Sequence, residues 1–228
     1  MSNANDSGVF LTVRGNYTSP SLEACRGVHN ETAGSAPGIA AARALGDLSH
    51  KVYSPMASPQ SSAKDGEVLF IDWWQDIQGL MAFFQNETVQ MQGVKLFTSR
   101  TATVWMPARG SFSYTLPAAA GKNERYVGMI RGPIASPEKS IEIFRKVDEK
   151  AQRTARARGL LSHELFIKLN PPGDSSPLEL LGVDVWCDAR GMGEHYSDPA
   201  EMAGLADAFS GAPDATVWQQ APGNWSEW

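Results

Sequence analysis

The chain has 228 residues, a formal net charge of −5 and 42% hydrophobic residues, the balance of a globular protein able to bury a core and a pocket without metal or disulfide staples. The acidic charge argues against a nucleic-acid or anionic-membrane surface, because phosphate binding needs clustered Lys and Arg; the basic residues of 139–158 are interleaved with Glu142, Asp148 and Glu149 and read as a solvated helix face. Cys25 and Cys187 form no CxxC pair, so neither a zinc site nor a disulfide framework is indicated, and both are expected as reduced thiols.

In chain order, residues 9–14 read as a strand, and Ser19-Pro20 supplies an N-cap followed by proline at the first helical position. Gly27, Gly34 and Pro37 interrupt the next pattern, which predicts a helix broken into two pieces. Strands follow at 50–54 and 67–74. Asp76 caps a helix that restarts at Asn86, and a strand holds Thr103-Val104-Trp105. Residues 108–124, with Pro117 and a small-residue stretch, read as a linker between domains at 1–107 and 125–228. Beyond it come a strand at 126–131, the cap Ser136-Pro137, and an amphipathic helix carrying Ile141, Phe144, Val147 and Ala151 on one face. Strands at 163–169 and 178–186 precede a helix capped by Asp188. That helix is expected to restart at Asp198-Pro199 before a last strand with Thr216-Val217-Trp218.

The second series repeats the first. Asp72, Trp74, Asp76 and Gly79 return at one offset as Asp184, Trp186, Asp188 and Gly191, and the same offset pairs Phe84 with Tyr196. Arg14-Gly15 returns as Arg131-Gly132, and Leu48-Ser49-His50 as Leu161-Ser162-His163. Each copy has the order β-α-β-β-α-β, a ferredoxin-like unit with two helices over one face of a four-stranded antiparallel sheet. The fold class is therefore α+β, with two such repeats packed sheet to sheet. Alternation puts Ile71, Trp73, Val183 and Val185 under the helices and turns Asp72, Trp74, Asp184 and Trp186 to the other face.

Asp184-x-Trp186-x-Asp188 with His195 nine residues after the Trp resembles the antibiotic-biosynthesis-monooxygenase-like family of the dimeric α/β-barrel superfamily. The first copy has Asp72-x-Trp74-x-Asp76 but Phe83 at the His position. The resemblance covers both halves through short motifs. It implies an intramolecular dimeric α/β barrel, a monomer forming a pseudo-dimer with further self-association open, and a small-molecule cavity. Members include cofactor-free oxygenases of phenolic or polyketide substrates and heme-degrading enzymes, and related barrels host isomerases, cyclases and lyases. Heme is disfavoured, because heme-degrading members carry Trp where Phe83 and His195 stand and a ligating His where this chain has Gly93 and Leu205.

His195 is the sharpest candidate, an imidazole able to exchange a proton near neutral pH or else one bonded to Glu194 or Asp198. His50 and His163 begin matching strands, as an acid/base pair or as structural hydrogen bonds. His29, in the irregular first helical region, ranks last. Arg14 and Arg131 are positioned to hold an anionic substrate oxygen or to pair with Asp72 and Asp184. Trp74, Trp186 and Tyr196 would line a cavity for a flat substrate, or the tryptophans serve as core. No metal site, cofactor, nucleic acid or membrane partner is expected, and the location expected is cytoplasmic, since no basic and apolar leader opens the sequence. These residues lead to a cofactor-independent enzyme acting on a small hydrophobic aromatic or polyketide-like molecule by proton abstraction and anion stabilisation. The alternatives are a non-oxidative lyase, isomerase or cyclase in the same cavity, and a non-catalytic metabolite-binding or scaffold protein.

Overall fold

The computed structural model describes residues 8–116 and 124–228. The chain divides into two compact units: the first takes the chain up to Pro55, Lys64–Trp105 and Gln220–Trp228, and the second takes Met56–Ala63 and Met106–Gln219. These differ from the expected halves by two short segments. Met56 N–H bonds the Val217 carbonyl inside the second unit (3.1 Å), and Ala221 N–H bonds the Val52 carbonyl inside the first (3.0 Å).

The first unit runs β1 (Val9–Tyr17), α1 (Leu22–Glu31), α2 (Ala36–Ala44), β2 (Asp47–Pro55), β3 (Glu67–Trp74), α3 (Ile77–Gln85), α4 (Glu87–Leu96) and β4 (Phe97–Pro107). Its antiparallel strand order is β4-β1-β3-β2. The second runs β5 (Tyr114–Thr115), β6 (Tyr126–Pro133), α5 (Pro137–Ala157), β7 (Leu160–Lys168), β8 (Glu179–Trp186), α6 (Ala189–Tyr196), a 3-10 turn (Leu205–Ala208) and β9 (Asp214–Gln220). Its order, β9-β6-β8-β7-β5, repeats that ferredoxin-like arrangement and adds β5 at the edge. The described part of the expected linker is thus not a bare tether. Tyr114 and Thr115 pair with His163 and Ser162, and Ala108 is buried; residues 117–123 lie outside the described residues.

Local chemistry starts the helices. The Asp76 carboxylate accepts from Gly79 N–H (2.8 Å), Asn86 Oδ1 from Thr88 N–H (2.9 Å), and Asp188 from Arg190 N–H (2.9 Å), satisfying donors that lack an intrahelical partner. Ser136 caps α5, with Pro137 at its start. In the first unit the cap is Ser21, two residues after the expected Ser19, because Thr18 N–H is held by the Leu96 carbonyl (2.9 Å) and delays helix entry. The expected restart at Asp198 yields only a turn. Its side chain accepts from Ala200 N–H (2.9 Å), and Gly204, at φ 85°, leads into the 3-10 segment in place of a helix.

One expectation is reversed. Asp72, Trp74, Asp184 and Trp186 lie beneath the helices: the Trp74 ring is 5.1 Å from Phe83 of α3, and Trp186 is 5.2 Å from His195 of α6. β3 and β8 carry apolar residues on both faces, so alternation separated the faces without telling which one the helices cover. The second unit's core joins Ile134, Phe144, Leu165, Leu180 and Leu205 in one cluster and Ala155, Leu160, Trp186, Met192 and Val217 in another. Their burial supplies the main driving force for that unit.

Candidate functional site

In the second unit a cavity of about 260 Å³ opens between α5, α6 and the sheet. Its polar lining is Gln60, Tyr114, Asp148, Gln152, His163, Asp184, His195 and Tyr196, and the rest is mostly apolar, including Ile130, Phe144, Val147 and Leu160. β7 and β8 place His163 opposite Asp184 in register, so His163 Nδ1 meets Asp184 Oδ1 at 2.7 Å. Asp148, on α5, comes within 3.0 Å of His163 Nε2, close enough for an ion pair but out of line for a hydrogen bond. Burial alone would lower the His163 pKa, but Asp184 and Asp148 outweigh it and hold the imidazole up at about 10. His163 is therefore a buried cation at neutral pH and not a proton acceptor. Burial in turn raises the Asp148 carboxyl above its usual range.

Tyr196 donates to Asp184 Oδ2 at 2.8 Å, and Trp186 Nε1 donates to the Tyr196 oxygen at 3.2 Å. Burial and the Asp184 charge push the Tyr196 phenol well above its ordinary value, so it stays protonated. A Cβ on Gly128 would fall 2.0 Å from that hydroxyl; only glycine leaves the space. His195, at the end of α6, is oriented differently. Its Nδ1 is 2.6 Å from Glu201 Oε2, which Arg158 also holds at 2.7 Å. The carboxylate fixes the proton on Nδ1, leaving Nε2 as the ring acceptor in a residue that lines the cavity.

In the first unit His50 and Asp72 are likewise cross-strand neighbours, with His50 Nδ1 at 2.5 Å from Asp72 Oδ1. The other ring nitrogen meets His29 Nε2 at 3.0 Å. The expected residues thus separate into two groups: His163, His195, Asp184 and Tyr196 share the second unit's cavity, while His50 and Asp72 line one in the first. Trp74 and Trp186 are fully buried core and line neither cavity. Arg14 and Arg131 also line neither. They form forked ion pairs with Glu67 (2.9 and 3.1 Å) and Glu179 (2.5 and 3.1 Å), not with Asp72 and Asp184, because the strand registers bring each glutamate near its arginine.

Three residues escaped sequence reasoning. Asp148 lies on the same face of α5 as Phe144 and Ala151, an acid at helical spacing inside an apolar stripe, and that was a readable signal. Glu201 and Tyr114 gave none, since Glu201 meets His195 and Tyr114 pairs with His163 only on folding. Among the described residues no group of three or more His, Cys, Asp or Glu is arranged to hold a metal ion, and no helix is long and apolar enough to cross a membrane.

No known family model and no curated protein matches the sequence. Solved structures do match. An anthrone oxidase-like protein aligns over 96% of this chain and 93% of its own, with a TM-score of 0.63 and 15% identity. A candidate monooxygenase of Lactobacillus acidophilus aligns over 95% and 97%, with a TM-score of 0.61 and 11% identity. A DyP-type peroxidase of Cellulomonas bogoriensis aligns over 99% and 92%, with a TM-score of 0.59 and 12% identity. Likeness at such identities speaks for architecture and not for chemistry, and the architecture it shows is the α+β fold that this chain shares with those structures.

Proposed function

We propose that the chain is a cofactor-independent enzyme that deprotonates a small hydrophobic aromatic or polyketide-like molecule in the second unit's cavity and exposes the resulting anion to oxygen. The observation that carries this reading is His195, whose Nδ1 is engaged by Glu201 at 2.6 Å while the ring lines an apolar cavity. Such an imidazole is a general base with its acceptor nitrogen available. The anion it creates lies in a cavity lined by Tyr114, whose buried hydroxyl has no hydrogen-bond partner, and a donor held ready where water is excluded stabilises such a charge. Tyr114 thus takes the anion-stabilising role first expected of Arg14 and Arg131. For a substrate with an activated methylene the balance is CH2 + O2 → C=O + H2O. The substrate supplies the four electrons, one oxygen atom enters it, and the other leaves as water. An anthrone oxidase-like protein shares this architecture.

The test is oxygen uptake with anthrones and polyhydroxylated aromatics, comparing the unaltered chain with His195→Gln, alongside thermal shifts for each compound. Uptake by the former and its loss in the latter, with ligand-induced stabilisation kept in both, is the expected result. Binding without oxygen consumption by either protein would move the chain to non-oxidative chemistry or to a carrier role.

A further inference from the structure

The first unit has a cavity of its own, about 340 Å³, and none of its lining residues belongs to the site above. Phe70, Phe83, Phe84 and Phe97 give it aromatic walls, and Asp47, His50 and Asp72 bring ionisable groups to it. Arg100 also lines it, with its guanidinium turned to Gln90 Oε1 (2.9 Å).

Behind Asp72 runs a hydrogen-bonded chain whose protons can be counted. Asn30 is pinned by donating Nδ2–H to the Asn224 carbonyl (2.8 Å) and accepting Ser226 N–H at Oδ1 (2.9 Å). That oxygen, 3.0 Å from His29 Nδ1, must receive the His29 proton. The Nε2 atoms of His29 and His50 face each other at 3.0 Å, with ring planes 8° apart, and need one proton between them. A third lies between His50 Nδ1 and Asp72 Oδ1. Two neutral imidazoles supply two protons. The third belongs to the contact between His50 Nδ1 and Asp72 Oδ1, so Oδ1 is engaged whichever atom carries that proton, and Oδ2 is the oxygen left to accept.

The two repeats differ at the carboxylate. In the second unit both Asp184 oxygens are occupied, Oδ1 by His163 and Oδ2 by the Tyr196 hydroxyl. At the position matching Tyr196 the first unit has Phe84, which has no hydroxyl to offer. Asp72 Oδ2 consequently has no donor among the described residues. Leu11 stands beside Asp72 where Gly128 stands beside Asp184, so a replacement hydroxyl must reach that oxygen from the cavity, which both Leu11 and Asp72 line.

We infer that the first unit's cavity is a second, independent ligand site for a phenol-class molecule, a flat aromatic whose hydroxyl donates to Asp72 Oδ2 as Tyr196 does to Asp184. Asp47 adds the complementary contact. It is 5% exposed, and its Oδ1 has no partner. Burial and the neighbouring Asp72 charge push it up to about 8, so near neutral pH it carries a proton for the phenolic oxygen to accept. A phenol, which donates and accepts through one atom, matches this pair; an ether of the same shape does not.

The test is calorimetric titration of the full chain with 1-naphthol and, separately, 1-methoxynaphthalene. Two naphthol sites are expected, one of which Asp72→Asn weakens about tenfold or more while methoxynaphthalene affinity is unchanged. Phe84→Trp, which fills the cavity from α3 without touching the proton chain, should remove the same site and keeps the test valid if Asp72→Asn fails to fold. No binding, or naphthol binding indifferent to both substitutions, would overturn the inference. Failure of the oxygenase reading appears separately, as absent oxygen uptake that neither variant affects.

Discussion

His163 carries a prediction about how stability depends on pH. Its folded-state pKa of about 10 lies above the unfolded value near ~6.5. The stability it adds is therefore fully present below about pH 6.5 and is lost as pH rises toward 10. Near pH 6, His163→Gln leaves Asp148 and Asp184 without their cation and should cost about 3–5 kcal/mol. The gap between the two proteins in urea denaturation should narrow as pH increases toward 10; a gap constant with pH would show that the imidazole is not held charged. His195 makes a different prediction. His195→Phe imports the residue of the matching first-unit position, Phe83, so the fold should survive while oxygen uptake falls about 10²–10⁴-fold. The sequence made His195, His163 and Asp184 legible because the copies match or conspicuously differ there. It could not reveal that His163 is caught between two acids, since Asp148 reaches it only when α5 docks on the sheet.

Element boundaries were most legible where side chains close local hydrogen bonds. Asp76, Asp188, Asn86 and Ser136 all cap the helices assigned to them, because a cap depends on residues two or three positions away. Which face the helices cover was not legible, since it depends on packing partners distant in sequence. The repeated Gly79 and Gly191 illustrate that limit. Their recurrence was plain, but its cause is tertiary: a Cβ would fall 1.8 Å from the Leu45 carbonyl oxygen at Gly79 and 1.9 Å from the Arg158 carbonyl oxygen at Gly191. The first turns of α3 and α6 thus rest directly on the backbone that closes the preceding helix. Gly191→Ala should destabilise the protein by about 1–3 kcal/mol despite the better helix propensity of alanine. Gly193→Ala, where a Cβ meets nothing within 4 Å, should be neutral or slightly stabilising in the same denaturation experiment.

At the scale of the whole chain, the duplication was legible and the allocation of its ends was not. Gln220, the last residue of β9, and the residues after it belong to the first unit. His50 N–H bonds the Trp228 carbonyl (2.8 Å), Val52 N–H bonds Glu227 Oε1 (2.7 Å), and Ser226 N–H bonds Asn30 Oδ1 (2.9 Å). Trp225 and Trp228 add ring contacts to His29 (5.2 Å) and His50 (4.7 Å). The segment therefore occupies the His50 and Val52 amides of β2 and pins the amide that fixes the His29 tautomer. Removing residues 224–228 should release the His50 and Val52 amides to fast hydrogen exchange, because an amide that has lost its acceptor exchanges through local opening. Asn30, freed from Ser226 and Asn224, can then rotate, and His29 loses the acceptor that made its Nδ1 the protonated nitrogen. Nitrogen chemical shifts of His29 and His50 should move in the truncated chain, while those of His163, held by Asp148 and Asp184, stay where they were. Unchanged exchange at His50 and Val52 would mean that β2 is ordered without this segment, and the proton count in the first unit would then have to rest on Asn30 alone.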